Sequence, residues 1–582
     1  MLRRERPLSP ECVWLCYAAE IMGLRRKKIA LHPFRPRLLN SLRSYDRSDF
    51  LADLMAGITV GVVALPLAMA FAIASGLKPE AGIFTAIIAG FIISACGGSK
   101  VQIGGPAGAF IVVVYSIIER YGLDGLLIST LVSGMLLFAM GLFRLGTLVR
   151  FVPVSIVIGF TNGIAVLIAL SQVKDFLGLK IANLPSDFFP KMTAIIEHLP
   201  GFDAATLLIG LSCFVIVFFW PKIAGRLTGS MARLSVVPGS IFALAFGTFI
   251  TWFFGLDIET IGSRFGGLPQ SLPSLTIPDL DFSTLQHLLP PIMTITMLGA
   301  IESLLCARVA DSLADDRHDP NQELMAQGMA NIAAPLFGGY CATGTIARTV
   351  TNIKSGARSP ISGIIHAIVL LLIILLAAPL AENIPLTALA AILLNVAWNM
   401  GEWHEFVRMR HFSNSYRIVV LATFLLTVII DLTVAMEVGL ILACLFFIRR
   451  VSELTRLEPV LELEGAAAPG LGKNIEAYRV YGSLFFGAAV KLEELMDTSR
   501  PTPKILILDM ANMLNMDTTG IEALENLHKY ITKRNGRLLL SRVPAHPAAL
   551  LRRSGFITTL GEDFIVGDLH EALKKGQVLA DQ

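Results

Sequence analysis

The stretch MTITMLGAIESLLCA at residues 293–307, followed by GGYCATGTIARTV at residues 338–350, decides the fold of this chain. Both runs are apolar enough for hydrocarbon, yet the first carries a carboxylate at Glu302 and the second a guanidinium at Arg348. A charge at bilayer depth costs about 2.5–3.5 kcal/mol even on insertion scales, so an intramembrane acid or base marks a functional site by default. The two residues predict a membrane protein that moves a charged solute.

The composition of the whole chain also indicates a membrane protein. Of 582 residues, 54% are hydrophobic and 16% are charged, and the mean hydropathy is +0.66. The net charge of +3 is small and the basic residues are dispersed, which argues against nucleic-acid binding. The seven cysteines form no CxxC pair and no metal spacing, so we expect no metal and no cofactor. The sequence has no GKS/T loop and no Ser-His-Asp arrangement, so we predict neither an enzyme nor an ATP-driven pump.

Apolar segments, each about long enough to cross or half-cross the hydrocarbon core, follow one another from residue 51 to residue 450. They predict about fourteen spans, near residues 53–75, 80–97, 104–119, 124–143, 153–173, 204–220, 235–254, 288–310, 322–337, 345–355, 360–380, 384–400, 416–431 and 433–449. Basic loop residues fall on the side of the N-terminus, which the positive-inside rule makes cytoplasmic.

This pattern divides the chain into four parts. We predict a basic cytoplasmic N-terminal segment at 1–50, in which Met22 is an alternative start, and a transmembrane domain at 51–450. A linker at 451–474 precedes a soluble domain at 475–582, whose alternating strand and amphipathic helix patterns are typical of a small α/β fold.

Two segments of the transmembrane domain interrupt the hydropathy pattern in the same way. ACGGSKVQIGGPAGAF at residues 95–110 and PLFGGYCATGTIARTV at residues 335–350 each have a Gly-Gly pair, an extended run and small residues that open a helix. Their offset of about 240 residues indicates an internal repeat, and an odd number of spans between them inverts the second copy. Interrupted segments at matching positions of two halves indicate the binding site of a transporter, and helix N-termini facing a cavity favour an anion.

Five motifs in order resemble the SulP anion transporters, the sulfate permease or solute carrier 26 family. They are GITVGVVALPLAMAFAIASGLKPEAGIFTAI (57–87), GGSKVQIGGPAGAF (97–110), GAIESLLCA (299–307), IARTVTNIKSGARSPISG (346–363) and LDMANMLNMDTTG (508–520). The resemblance implies an α-helical polytopic membrane protein with a seven-plus-seven inverted repeat, in which a core domain carries the substrate and moves against a gate domain. It also implies a cytoplasmic α/β STAS domain.

The resemblance further implies which residues line the substrate site. They are Phe71, Gly105, Ala107, Gly108, Ala109, Glu302, Thr345, Ala347, Arg348 and Thr349. Chemistry supports several of them, because the threonines offer hydroxyls, the glycines allow close backbone approach and Arg348 offers a cationic fork for carboxylate or sulfate. An alternative role for Arg348 is as a structural partner of helix carbonyls or of Glu302. In soluble relatives of the STAS domain the hydroxyl after the loop Asp is phosphorylated, which makes Thr518 the candidate here.

One departure from the family pattern bears on the substrate. Many members have Gln directly after the Leu-Pro of the first span, whereas this chain has Leu67. Together with GAIESLLCA and NQELMAQGMANI, the segment LPLAMA resembles the bacterial branch that takes up four-carbon dicarboxylates such as succinate and fumarate. The sequence therefore favours proton-coupled uptake of succinate, fumarate or aspartate. The alternatives are a proton- or sodium-coupled sulfate or bicarbonate transporter, an uncoupled anion channel or exchanger, and a membrane-anchored signalling scaffold.

Glu302 is the expected proton-coupling residue. We expect Arg348 to be its counter-charge, so that an anion binding to Arg348 leaves Glu302 to take a proton. Sodium is the less favoured coupling ion. We expect a homodimer in the bacterial inner membrane, with both termini in the cytoplasm and a regulatory partner at the STAS domain.

Overall fold

The structure is a computed structural model that describes residues 31–147, 153–181, 184–224, 226, 238–270, 275, 282–460, 474–485, 490–496 and 503–581. The alternative start Met22 and the cysteines Cys12 and Cys16 lie outside these ranges. The chain forms two compact units, residues 1–440 and residues 441–582.

Helices α1 to α8 cover the first half of the membrane unit. They are α1 (Arg37–Ser41), α2 (Arg47–Ala74), α3 (Pro79–Cys96), α4 (Ile111–Leu142), α5 (Val154–Leu177), α6 (Phe188–His198), α7 (Ala204–Ala224) and α8 (Gly239–Phe254). Asp46 caps the N-terminus of α2, because its carboxylate accepts a hydrogen bond from the backbone N–H of Asp49 at 2.8 Å. Gly122, at φ +72°, breaks α4 into the two separate spans that the sequence predicts.

Helices α9 to α18 follow. They are α9 (Ile261–Phe265), α10 (Phe282–His287), α11 (Leu289–Ala314), α12 (Pro320–Leu336), α13 (Ile346–Lys354), α14 (Ile361–Ala381), α15 (Leu386–Met400), α16 (Trp403–Arg408), α17 (Asn414–Ile429) and α18 (Leu432–Leu454). Two short strands, β1 (Gly104–Gly105) and β2 (Thr343–Gly344), precede α4 and α13.

In the part of the chain that the structure describes, fourteen helical segments coincide with the fourteen predicted spans when the halves of α4 are counted separately. Seven belong to residues 47–254 and seven to residues 289–454, as an internal repeat requires. Within the described residues, six helices are long and apolar enough to cross a membrane by these two criteria, and three more are apolar but shorter. α13 is different, because it has nine residues and could only half-cross.

The membrane helices pack into two bundles. The core bundle contains α2, α3, α4, α11, α12, α13 and α14, in which α12 packs on α3 and α4 while α14 packs on α2 and α3. The gate bundle contains α5, α7, α8, α15 and α17, in which α5 packs on α15 and α17 while α7 packs on α8 and α15. This division agrees with the core and gate domains that the sequence resemblance implied.

The second unit is a five-stranded sheet with helices. Its elements are β3 (Arg456–Pro459), β4 (Ile475–Leu484), α19 (Val490–Glu493), β5 (Ile505–Met516), α20 (Thr518–Thr532), β6 (Arg537–Ser541), α21 (Ala545–Arg553), α22 (Phe556–Leu560), β7 (Ile565–Val566) and α23 (Leu569–Ala580). The strand order is β3-β4-β5-β6-β7, parallel except for β3. The sheet therefore starts at Arg456, inside the stretch assigned to a linker, because four residues with one apolar side chain give no strand pattern.

A buried carboxylate ties the parallel strands together. Asp509 on β5 accepts hydrogen bonds from Arg479 Nε at 2.6 Å and from Arg542 Nε at 2.9 Å. Burial alone would raise the pKa of Asp509, but the hydrogen bonds from Arg542 and Arg479 outweigh burial and lower it. The carboxylate is therefore charged at neutral pH, and its contribution to stability is lost only when acid protonates it.

Candidate functional site

The two interrupted segments meet inside the core bundle. Strand β1 pairs antiparallel with β2, so that Gly104 faces Gly344 and Gly105 faces Thr343. All four residues are buried. The pair supplies hydrogen bonds to some of the backbone N–H and C=O groups that the breaks in the two helices leave without partners. Non-helical backbone is tolerated at membrane depth only where protein supplies such partners.

Polar side chains satisfy other backbone groups beside this pair. Asn331 on α12 accepts from the N–H of Ala342 at 2.8 Å and donates to its carbonyl oxygen at 3.0 Å. On the other segment, the Glu323 carboxylate accepts from the N–H groups of Gly98 and Ser99 at 2.8 and 3.1 Å. These buried polar side chains of α12 hold both interrupted segments in place.

The two predicted threonines have their hydroxyls engaged with backbone. Thr345 Oγ1 donates to the carbonyl oxygen of Ile103 at 2.9 Å, and the N–H of Ile103 donates to Thr349 Oγ1 at 3.0 Å. Thr345 lies on the wall of the adjacent cavity, whereas Thr349 is fully buried and does not line it. Both side chains fix the first interrupted segment against the start of α13.

Arg348 is the largest fully buried side chain among the described residues. Its Nη2 donates to the carbonyl oxygen of Pro106 at 3.4 Å, whereas Nε and Nη1 have no hydrogen-bond partner within the described structure. Gly105 leaves room for it, because a Cβ at Gly105 would collide with Nη1 and the φ of +151° disfavours any other residue. The guanidinium is therefore held in place with donors unused.

Arg348 faces a cavity of ≈ 1720 Å³ between the core bundle and the gate bundle. The cavity reaches Met55 near the start of α2 and Lys354 at the end of α13, so it opens toward the membrane face on which α2 begins. Its lining contains three basic residues, Arg308, Arg348 and Lys354, and two acidic residues, Glu302 and Glu402. The cavity is thus a mainly apolar chamber with an excess of positive charge.

Most of the predicted site residues line this cavity. Those that do are Phe71, Ala107, Gly108, Ala109, Glu302, Thr345, Ala347 and Arg348. Gly105 and Thr349 do not, since Gly105 lies against Nη1 of Arg348 and Thr349 is fully buried. Leu67, the departure from the family pattern, is also on the wall.

Helix starts supply the remaining donors. The first residues of α13, Ile346 to Arg348, and the turn Gly108–Phe110 that leads into α4 begin at the cavity. The first N–H groups of a helix have no partner within that helix, and the helix dipole makes this end positive. An anion at Arg348 would therefore meet backbone donors as well as the guanidinium.

Glu302 on α11 lies in the same cavity, but the expected ion pair with Arg348 is not formed. In the described part of the chain, its carboxylate has neither an ion-pair partner nor a hydrogen-bond partner. It is half-buried and faces the cavity. The expectation was wrong because an acid and a base on two different helices that line the same cavity need not point at each other.

Polar residues on the gate side of the cavity were not among the residues predicted from the sequence. Asn395 and Asn399 on α15 line it opposite Arg348, and so does Glu402 just after the helix. The sequence feature that could have identified the two asparagines is their spacing of four residues, which places both amides on one face of an otherwise apolar helix.

Comparison with known proteins agrees with this architecture. The model of the sulfate permease family matches residues 50–423, and the STAS domain model matches residues 473–572. The Bacillus subtilis protein YvdB is 42% identical over 528 residues, which cover 90% of this chain and 98% of YvdB. The bicarbonate transporter BicA of Picosynechococcus is 30% identical over 505 residues, which cover 81% of this chain and 85% of BicA.

A solved structure shows the same fold. The murine anion transporter Slc26a9 in its inward-facing state superposes with a TM-score of 0.82, covering 99% of this chain and 100% of that protein. At 16% sequence identity, this likeness concerns the fold alone.

Thr349 offers a test of whether its hydroxyl positions backbone or binds substrate. Thr349→Val removes the acceptor for the Ile103 N–H, which leaves a buried donor unsatisfied at a cost of about 1–3 kcal/mol. We expect a lower melting temperature of the full chain in detergent, restored by Thr349→Ser. Thr351→Val, whose hydroxyl binds only its own helix at Ala347, is the control. If Thr349→Val is as stable as Thr351→Val but loses anion affinity, Thr349 is a substrate contact.

Proposed function

The chain belongs to the sulfate permease family, and from this premise we propose that it is a proton-coupled transporter that takes up small dicarboxylates of the succinate, fumarate and aspartate type. Membership of the family establishes that the protein is a membrane anion transporter with a STAS domain and is not an enzyme. The proposal concerns the substrate, the coupling ion and the residues.

The observation that carries the proposal is the unused hydrogen-bonding capacity of Arg348. A buried guanidinium without a carboxylate partner is costly unless a ligand completes it. Its Nε and Nη1 lack partners within the described residues, and the starts of two helices lie on the same cavity. A carboxylate is a strong complement, because it accepts two parallel hydrogen bonds from one guanidinium.

The cavity also bears on which anion is bound. Leu67 and Phe71 present apolar surface beside the helix starts. The carbon chain of a dicarboxylate can lie against such surface, whereas sulfate and bicarbonate have no apolar part. The basic residues Arg308 and Lys354 on the same cavity give a second carboxylate a favourable field.

Bicarbonate and sulfate remain the second candidates. The relative BicA is named for bicarbonate, and the family is named for sulfate. Both anions would use the same guanidinium and backbone donors, so the site chemistry favours an anion in every case. An uncoupled exchanger or channel would need the same site without a coupling residue.

Glu302 supplies the coupling in this proposal. Its carboxylate shares the cavity with the anion and has no counter-charge among the described residues. A bound anion repels a charged Glu302, and protonation of Glu302 removes this repulsion. Proton and anion therefore load together, which is the requirement for symport.

Movement of the core bundle against the gate bundle would carry the loaded site across the membrane. The positive-inside rule assigns the face to which the cavity opens to the cytoplasm, with both termini on that side. We further propose a homodimer in the bacterial inner membrane. Thr518, exposed at the first position of α20 after the cap residue Asp517, is the proposed regulatory phosphorylation site of the STAS domain.

The first test removes the guanidinium. Arg348→Ala loses charge-assisted hydrogen bonds worth about 1.5–3 kcal/mol, so we expect anion affinity to fall at least about 10-fold while the protein stays folded. Calorimetric titration with succinate, fumarate, aspartate, sulfate and bicarbonate measures affinity and ranks the substrates. Arg358→Gln is the control, because Arg358 is more than half exposed and pairs with Asp49 outside the cavity. Unchanged affinity in folded Arg348→Ala would remove Arg348 from the site.

The second test separates binding from coupling. Glu302→Gln keeps the shape of the side chain but takes no proton, so we expect retained binding and exchange and a loss of uphill uptake driven by a proton gradient. Uptake into proteoliposomes under an imposed proton gradient measures this loss. Glu402→Gln, the other acid on the cavity, is the control. If the Glu302→Gln protein still concentrates substrate, Glu302 is not the coupling residue; if wild-type uptake follows sodium, the ion assignment is wrong.

A further inference from the structure

A second cavity, of ≈ 220 Å³, lies at the opposite end of the membrane helices. Its walls come from the ends of α2, α5 and α17, the first half of α4, the starts of α6 and α11, and Arg264 of α9, whereas the central cavity touches the other ends of α2, α5 and α11. Among the residues that the structure describes, the two cavities share no lining residue. The second cavity is therefore a separate compartment where the core bundle meets the gate bundle.

Charged side chains concentrate on this small cavity. Its lining includes four basic residues, Arg120, Lys174, Lys191 and Arg264, and three acidic ones, Asp175, Asp187 and Asp431. Arg264 and Asp175 satisfy each other through a hydrogen bond of 2.9 Å. The other charged lining residues are three cations, Arg120, Lys174 and Lys191, and two carboxylates, Asp187 and Asp431, and the Glu119 carboxylate acts on Lys191 from beside the lining.

Lys191 on α6 is the most unusual of these residues. It is only 5% exposed, yet no ion pair or side-chain hydrogen bond joins its ammonium group to another described residue. Its Nζ lies 5.8 Å from the centre of the Tyr115 ring. Burial lowers the pKa of Lys191, and the surrounding carboxylates of Glu119 and Asp187 offset only part of this effect. Neither carboxylate forms an ion pair or a hydrogen bond with the ammonium group, so its burial is costly unless a ligand contacts it directly.

Arg120 can supply a second cation to the same ligand. Its guanidinium is 3.6 Å from the Asp187 carboxylate and 3.8 Å from that of Asp431, distances too long for hydrogen bonds. The side chain is about half exposed. Arg120 thus forms ion pairs with both acids without a hydrogen bond to either, so its N–H donors are available to an anion in the cavity that it lines together with Lys191.

We infer that this second cavity is a small-anion site, built on Lys191 and Arg120, that holds an anion at the membrane face opposite the central cavity. The inference rests on the proposed function in one respect, namely that the anion held there is the one that enters or leaves the central site. The site selects by charge, since the donors proposed here are two cationic side chains. A volume of this size accommodates a small anion together with a few waters, each of which occupies about 30 Å³.

The test measures weak anion binding directly and does not depend on transport. Chloride is the probe: ³⁵Cl nuclear magnetic resonance measures the excess linewidth that the detergent-solubilised full chain produces. Sulfate is the competitor. The background is Arg348→Ala, which disables the central site. We expect the Arg348→Ala protein to retain an excess chloride linewidth that sulfate displaces. Adding Lys191→Gln to this protein should lower the affinity of this binding about 10-fold, because one charge-assisted contact is lost.

Two variants make the result specific. Lys180→Gln is the matched control, because Lys180 is an exposed lysine near the end of α5 that does not line the cavity. Lys191→Arg keeps the charge and should retain the component. If Lys191→Gln and Lys180→Gln give the same displaceable linewidth, the inference is overturned. If the Arg348→Ala protein binds anions as tightly as wild type, the proposed role of Arg348 is contradicted. The comparison of Lys191→Gln with Lys180→Gln still tests the second site in that case.

Discussion

Satisfaction of backbone hydrogen bonds at the crossing of two interrupted helices is the constraint on which this structure depends. Lipid offers no partner for a bare N–H or C=O group, so two helices can break at membrane depth only where protein replaces the lost bonds. Here the replacement is the β1–β2 pair and a set of buried polar side chains, among them Asn331, Glu323 and Thr349. The donors left over lie at the helix starts and on Arg348.

The same arrangement creates the anion site that we propose. The same breaks that require compensation also bring two helix N-termini and a guanidinium to one cavity. Both interrupted segments belong to the core bundle, whereas the gate bundle forms the facing wall through α5, α7, α8 and α15. In the mechanism that we propose, the donors would move as one body, and an anion held on the core bundle would reach either side without losing its contacts.

The sequence predicted much of this because the strongest signals are local. Span positions follow from hydropathy, and the interrupted segments follow from paired glycines within apolar runs. It could not predict which hydroxyls face substrate, since Thr345 and Thr349 have the same chemistry and only packing commits both to Ile103. The absence of an Arg348–Glu302 pair among the described residues, and the start of the sheet at Arg456, depend likewise on three-dimensional placement that no local pattern encodes.

A cryo-electron microscopy structure of the full chain with saturating succinate, and a second one with sulfate, would test the central claim most directly. The account predicts anion density within hydrogen-bonding distance, about 2.7–3.2 Å, of the Arg348 guanidinium and at the start of α13. The β1–β2 pair should be unchanged. Density elsewhere in the cavity with the guanidinium unoccupied, or a guanidinium turned onto Glu302 in the loaded state, would contradict it.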